Sequence, residues 1–382
     1  MASVMSFPTR IVYGKGAIQE LPNELKRAGA SRPLLVTDKG ILQAGLLRFV
    51  TPLLERIGIK TQLFTEFEAN PTDRDALRGI EAYRAAGADS VLGIGGGASL
   101  DMAKAVALLV NHEPPLAQYD DAKGGDAKIT ARVPPIVQVP TTAGTGSEVG
   151  RSTVLVIDGT KTVIFSPHLM AKTAILDPEL TVGLPPFITA ATGMDALTHN
   201  LEAYVAKGDH PLADAIAIDG LRRIGAHLKR AVQNGKDLEA REQMLLGSAF
   251  GAIAFQKGLG ACHSVAHALT PVAGTHHGLA NSLMLPAVTN FNRVAVEERL
   301  ANAAVALGAD PKLSQQERAH LCVELIDNLR SACGLPRRLS QAGVRREMIP
   351  QIVQKALADA CHLSNPRPVT QVDFERLIDE AF

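Results

Sequence analysis

The chain has 382 residues, enough for two ordinary domains with sizeable cores. Lys plus Arg and Asp plus Glu both number 39, so there is no basic excess of the kind a nucleic-acid or anionic-membrane binder carries. Hydrophobic residues make up 46% and charged residues 20%, a soluble globular balance, and no apolar run reaches the ~18 residues of a bilayer span.

The chain opens on MASVMSFPTR, which lacks an apolar signal region, so a cytoplasmic protein is expected. RPLLVTD (residues 32–38) reads as a buried strand ending in Asp38, and IKTQLFTEF (59–67) as another. Asn70-Pro71-Thr72 then opens a helix, NPTDRDALRGIEAYRAAGA. DSVLGIGGG is a strand running into glycines, followed by the helix ASLDMAKAVALLV. Gly95, Gly96 and Gly97 therefore sit where backbone N–H groups and a helix N-terminus can approach a phosphate, with Ser99 and Asp101 just beyond. An acid ~20 residues later should end the next strand in a dinucleotide-binding unit. Asp120 and Asp121 lie near that distance but in NHEPPLAQYDDAKGGD, which reads as loop. Asp38 is the better ribose acid, although a helix cap would use the same side chain. PPIVQVP leads into a hydroxyl- and glycine-rich loop containing Thr141, Thr142 and Thr145, and STVLVID, TVIFS and TAILD are later short strands. Strands alternating with helices imply a mostly parallel sheet.

From LPPFITAATGMD onward, β-runs give way to helical periodicity. The expected organisation is an α/β Rossmann-like dinucleotide-binding domain over residues 1–180 and an all-α domain over 181–382, with metal and substrate in the cleft between them. Asp195 and His199 are spaced i, i+4 in AATGMDALTHNLEAYVAK, as are His263 and His267 in CHSVAHALTPVAG, so each pair shares a helix face. His277 follows in a Gly-bounded turn. Carboxylate and imidazole suit a divalent ion such as Fe²⁺ or Zn²⁺, and spacing alone leaves all five residues as candidate ligands. Cys262, Cys322, Cys333 and Cys361 form no CxxC pair and read as reduced thiols.

GIGGGASLDMAKA, PTTAGTGSEV, ATGMDALTHNLEAYV, GACHSVAHAL, HHGLANSLMLP and NPRPVT occur in that order along nearly the whole chain. Together they resemble the iron-containing (group III) alcohol dehydrogenase family, within the dehydroquinate-synthase-like superfold. The resemblance implies hydride transfer between a primary or secondary alcohol and NAD, with aldehyde or ketone as the reverse substrate. It implies Asp195, His199, His263 and His277 as ligands of one Fe²⁺, with Zn²⁺ an alternative, and His267 as a proton-relay residue. Cofactor contacts fall on Asp38, Gly95, Gly96, Gly97, Ser99, Asp101, Thr141, Thr142, Thr145 and Lys161. A small-molecule substrate and a homodimer or larger homo-oligomer are expected, without nucleic acid or membrane. A maleylacetate-reductase-like enzyme and a dehydroquinate-synthase-like lyase are the alternatives. Gly150, Arg151 and the 270–276 loop depart from the family pattern, so substrate preference is where the resemblance says least.

Overall fold

Runs such as Pro33–Val36 and Ser90–Gly95 are buried along their whole length, the pattern of parallel strands covered on both faces. The computed structural model describes residues 9–68 and 70–382. In chain order its strands are Arg10–Tyr13 (β1), Pro33–Val36 (β2), Gln62–Phe64 (β3), Ser90–Gly95 (β4), Ile136–Pro140 (β5), Ser152–Ile157 (β6), Thr160–Phe165 (β7) and Thr173–Leu176 (β8). Six of them form one parallel sheet in the order β1-β8-β5-β4-β2-β3. The chain passes from β2 to β3 on one side and then to β4 on the other. The carboxyl ends of β2 and β4 therefore flank a topological switch point, where open α/β sheets form ligand crevices.

Two strands read from the sequence behave differently. β6 and β7 stand outside the parallel sheet as a two-stranded hairpin, antiparallel from Ser152↔Phe165 to Ile157↔Thr160, with isolated bridges from Val156 to Thr72 and from Ile164 to Asp120. Alternating burial along β6 is the signature of a hairpin with one covered face, not of a doubly covered strand. The expected strand at 59–67 shrinks to three residues, with Gln62 and Leu63 exposed at the sheet edge. The stretch read as loop at 111–126 contains short 3-10 turns at Leu116–Tyr119 and Asp121–Lys123, and a third begins at Gly125.

The sheet is flanked by Leu21–Ala28 (α1), Lys39–Gln43 (α2), Thr51–Arg56 (α3), Asp73–Ala85 (α4) and Gly97–Val110 (α5). Thr72 caps α4 reciprocally with Asp75, so the Asn-Pro-Thr start signal is realised as a capping box. Alternation along the strands sends Leu34, Val36 and Val91 into one core, and Leu35, Leu92, Ile94, Val137 and Val139 into the other. At Gly93 a Cβ would come within 2.9 Å of Ala103 Cβ, so α5 packs on β4 only because that position is bare.

Residues from Leu184 to Phe382, together with Ala143–Thr145, form one compact unit, and the remaining described residues form the other. The helical unit consists of Pro186–Val205 (α6), Pro211–Gln233 (α7), Leu238–Ala254 (α8), Ala261–Ala273 (α9), His277–Asn292 (α10), Glu297–Ala306 (α11), Gln315–Ala332 (α12), Ile349–Ala358 (α13) and Gln371–Glu380 (α14). From Gly193 to Val205, α6 is buried at every position, as a helix enclosed by its neighbours must be. No helix among the described residues is long and apolar enough to cross a membrane.

Candidate metal centre and dinucleotide site

At the switch point, Gly96 is the N-cap of α5 and supplies no side-chain cap, and no acidic residue lies in the helix's first turn. The first N–H groups of a 14-residue helix are left for an anion. Gly95 has φ 145°, and a Cβ there would lie 2.5 Å from Ser99 Oγ, so glycine is required on both counts. Thr141 N–H donates to Gly95 O (2.9 Å), and Thr142 flanks Gly96, which gathers the glycine turn and both threonines at the ends of β4 and β5. Asp38 follows β2. One oxygen accepts from Ile41 N (3.0 Å) as the N-cap of α2, and the other accepts from Ser99 Oγ (2.7 Å). The capping use foreseen for Asp38 is thus real, and its remaining lone pairs face the switch point's other bank through Ser99.

The other cofactor candidates are placed less directly. Asp101 turns to Ser147 Oγ (2.6 Å) and Val154 N (3.3 Å), and burial raises its pKa despite nearby Lys104. Lys161 lies on β7, opposite Val156, and its charge acts on Asp101. Thr145 belongs with the helical unit rather than with Thr141 and Thr142.

In the helical unit, α6 carries Asp195 and His199, α9 carries His263 and His267, and His277 is the first residue of α10 rather than a turn residue. Side-chain collisions set how closely these helices approach. A Cβ on Gly278 would strike the Ala191 carbonyl, so the start of α10 rests directly on α6 and delivers His277 to Asp195. The donor atoms of Asp195, His263 and His277 all lie within 4.8 Å of one another. Asp195 Oδ1 is 3.8 Å from His263 Nε2 and 3.5 Å from His277 Nε2. In their midst sits the Asn281 amide, whose Nδ2 is 2.7 Å from Asp195 Oδ1, 3.2 Å from His263 Nε2 and 3.3 Å from His277 Nε2. A donor facing three convergent lone pairs occupies the place a cation would take, and the N/O donor set fits Fe²⁺ or Zn²⁺.

His199 stacks on His263 with ring centres 4.6 Å apart, and its Nδ1 lies 3.3 Å from Gly144 O. Burial lowers its pKa to about 4 against the pull of Asp195, so the ring is a neutral imidazole, the form that binds metal. His263 Nδ1 meets Glu202 Oε2 at 2.6 Å, and Glu202 also accepts from Cys262 N (2.8 Å). Burial opposes protonation of His263, but the Glu202 bond outweighs it and the pKa rises. A carboxylate on Nδ1 orients the ring and aims Nε2 at the cluster. His267 stacks on His277 at 5.3 Å, and its Nδ1 is 2.8 Å from Asp359 Oδ2. Despite the desolvation that opposes ionisation, the His267 charge and hydrogen bond hold the Asp359 carboxyl well below the usual range.

Sequence reasoning missed Glu202, Asn281, Asp359 and the Gly144 carbonyl. Spacing could have found two of them. Glu202 lies seven residues after Asp195, two turns along the same face of α6, and Asn281 lies one turn after His277. Nothing local to Asp359 or Gly144 signals their partners.

The fold and this constellation define a protein of an α/β unit and a helical unit, the latter carrying a convergent N/O donor cluster. The iron-containing alcohol dehydrogenase model matches residues 8–178, and the C-terminal model of the Fe-containing alcohol dehydrogenase family matches residues 189–382. The 4-hydroxybutyrate dehydrogenase of Cupriavidus necator is 39% identical, and the NAD-dependent methanol dehydrogenase of Bacillus methanolicus 35%, each alignment covering 98% of both chains. A crystal structure of 1,3-propanediol oxidoreductase superposes with TM-score 0.95 at 35% identity, covering 100% of both chains. The chain belongs to the iron-containing alcohol dehydrogenase family. It is an alcohol oxidoreductase, and the family's cofactors are NAD and iron.

Proposed function

We propose that the chain transfers a hydride between a small primary or secondary alcohol and NAD, using Fe²⁺ held by Asp195, His199, His263 and His277. The convergence of Asp195, His263 and His277 around the Asn281 amide carries this reading. Zn²⁺ accepts the same donors. When bound, the ion acts as a Lewis acid that lowers the pKa of an alcohol or polarises a carbonyl. His267, held through Nδ1 by Asp359, presents its other nitrogen for proton exchange with solvent. The bare N-terminus of α5 takes the pyrophosphate, flanked by Gly95, Gly96, Gly97, Thr141 and Thr142. Asp38, assisted by Ser99, accepts from the ribose 2′-OH and repels a 2′-phosphate, which favours NAD over NADP. Asp101, Thr145 and Lys161 contribute at the edge of this site. The enzyme acts in the cytoplasm as a homodimer or larger homo-oligomer.

The test is an NADH absorbance assay on Fe²⁺-reconstituted protein with a panel that includes methanol, 1,3-propanediol and 4-hydroxybutyrate. Steady NADH production from one of them is expected, and none from any alcohol would overturn the reading. His263→Ala and His277→Ala should lose bound metal, whereas His267→Ala should keep it and turn over slowly. Metal loss from the His267 variant would reverse those assignments.

A further inference from the structure

Pro286 lies inside α10 and has no N–H, so the carbonyl of Ser282, one turn earlier, lacks its helical donor. Arg330 of α12 supplies one. Its Nη1 donates to Ser282 O (3.3 Å) and its Nη2 to Asp327 Oδ1, and the residue is 4% exposed. The guanidinium's other edge, Nε–H, is buried and has no hydrogen-bond partner. A buried donor on a charged group is costly to leave unpaired, and neither the Pro286 gap nor Asp327 uses this one.

Arg330 lines a cavity of about 240 Å³ together with Arg337 and Arg338, which follow α12, the acids Asp327 and Glu380, and an apolar wall from α10. That is below the ~300 Å³ at which pockets for drug-sized ligands begin, and it suits a small ion or a short organic molecule. The charge around it is positive in balance. Asp327 is divided between two of the guanidiniums, bonded to Arg330 and 3.8 Å from Arg337 Nη2. Glu380 is drawn to Arg376, 3.4 Å away. Arg337 Nε donates to Ser331 Oγ (2.8 Å) and Arg338 Nη1 to Glu380 O (3.5 Å), which steadies both side chains at the cavity. Burial lowers the Arg330 pKa, Asp327 pulls it back, and the charges of Arg337 and Arg338 lower it again. The three cations thus repel one another, and a bound anion relieves that repulsion.

We propose that this cavity is a site for a phosphate group, either inorganic phosphate or the head of a short-chain phosphate monoester, with Arg330 Nε as its buried donor and Arg337 and Arg338 as its charged rim. Guanidinium N–H groups match phosphate oxygens in geometry and charge, whereas a water on Nε would leave the repulsion in place. Leu283, Pro286 and Ala287 give a short carbon chain a wall to lie on. Because Arg330 also bridges the Pro286 gap, an anion on Nε braces α10 at its proline. None of these residues is a candidate metal donor or cofactor contact, so the site stands independently of those assignments.

The test uses the holoenzyme with saturating NAD, which keeps phosphate from the N-terminus of α5. Inorganic phosphate and propyl phosphate are titrated calorimetrically at constant ionic strength, and amide hydrogen exchange is followed with and without phosphate. We expect saturable binding where chloride gives none, and slower exchange across residues 283–290 and 327–338. Tighter binding of propyl phosphate would assign the site to a monoester, and equal binding to the free ion; either supports the site. Arg337→Gln/Arg338→Gln should weaken phosphate about tenfold or more while turnover in phosphate-free buffer stays at the wild-type level. Unchanged affinity in that variant, protection confined to other segments, or chloride matching phosphate would each overturn the proposal. If the double variant does not fold, Ala287→Glu, which sets a carboxylate on the apolar wall, is judged by the same titration. It should abolish binding, and wild-type affinity there would sink the site.

Discussion

Glu202 touches no candidate donor position directly, yet it sets the geometry of one. With Oε2 on His263 Nδ1 at 2.6 Å, it fixes which ring nitrogen is free and how the ring is turned. Glu202→Gln keeps the shape but puts a weaker, neutral partner there, and metal affinity should fall about 10-fold or more. Metal content after dialysis against a graded chelator checks this, and full retention would show that the ring is held by packing alone. Glu148 is a different case. It is buried at 2% exposure, its Oε1 has no hydrogen-bond partner, and burial raises its pKa to about 7, with Lys104 pulling the other way. The folded pKa exceeds the unfolded one near 4.5, so the native state binds the extra proton and stability falls as pH rises between those values. Below pH 4.5 the penalty is absent, and above pH 7 it is fully present. Glu148→Gln should therefore raise Tm at pH 8 and leave it nearly unchanged at pH 4.5, with an upper limit of about 3 kcal/mol on the gain. An equal Tm change at both pH values would show that ionisation of Glu148 is not what limits stability.

At the scale of elements, three helices make the centre, and bare positions decide how near they come. Gly278 sits where any Cβ would meet the Ala191 carbonyl, so α10 begins in backbone contact with α6. Gly278→Val should push the two apart, separate His277 from Asp195, and reduce metal affinity more than 10-fold while the far-UV spectrum stays helical. Wild-type affinity in that variant would mean the helix start can rotate without loss. Helical spacing made the pairing of Asp195 with His199, and of His263 with His267, visible in the sequence, because period 3.6 is a local property. It could not say that His263 turns to the cluster while His267 turns to Asp359, since α9 presents both to neighbours far along the chain. The same limit applies in the sheet. β2 and β4 announce themselves as largely apolar runs, whereas β6 and β7 read as equal members until their separate hairpin is seen. Likewise Asp101 carries the family pattern for a cofactor residue, and only the fold reveals that Ser147 and Val154 occupy its carboxylate.

For the molecule as a whole, the proposed metal donors all belong to the helical unit, on α6, α9 and the first turn of α10. An ion held there ties together helices separated by some eighty positions in sequence, and none of those ties survives unfolding. On the proposed assignment metal is a ligand of the native state, and its binding free energy adds directly to folding stability. At a free concentration 100 times Kd the gain is about 2.7 kcal/mol. Thermal unfolding should therefore shift upward with the logarithm of free Zn²⁺ or Fe²⁺, and chelation should reverse the shift. His277→Ala should flatten the dependence, because it removes a donor without opening the core; the side chain is 20% exposed, against 1% for His263. NAD should raise Tm even in that variant, since the glycine turn, Thr141 and Asp38 owe nothing to the metal donors for their placement. A metal-dependent Tm that persists in His277→Ala would put the ion elsewhere. A Tm indifferent to metal in the wild-type chain would leave the Asn281 amide as the permanent occupant of the cluster.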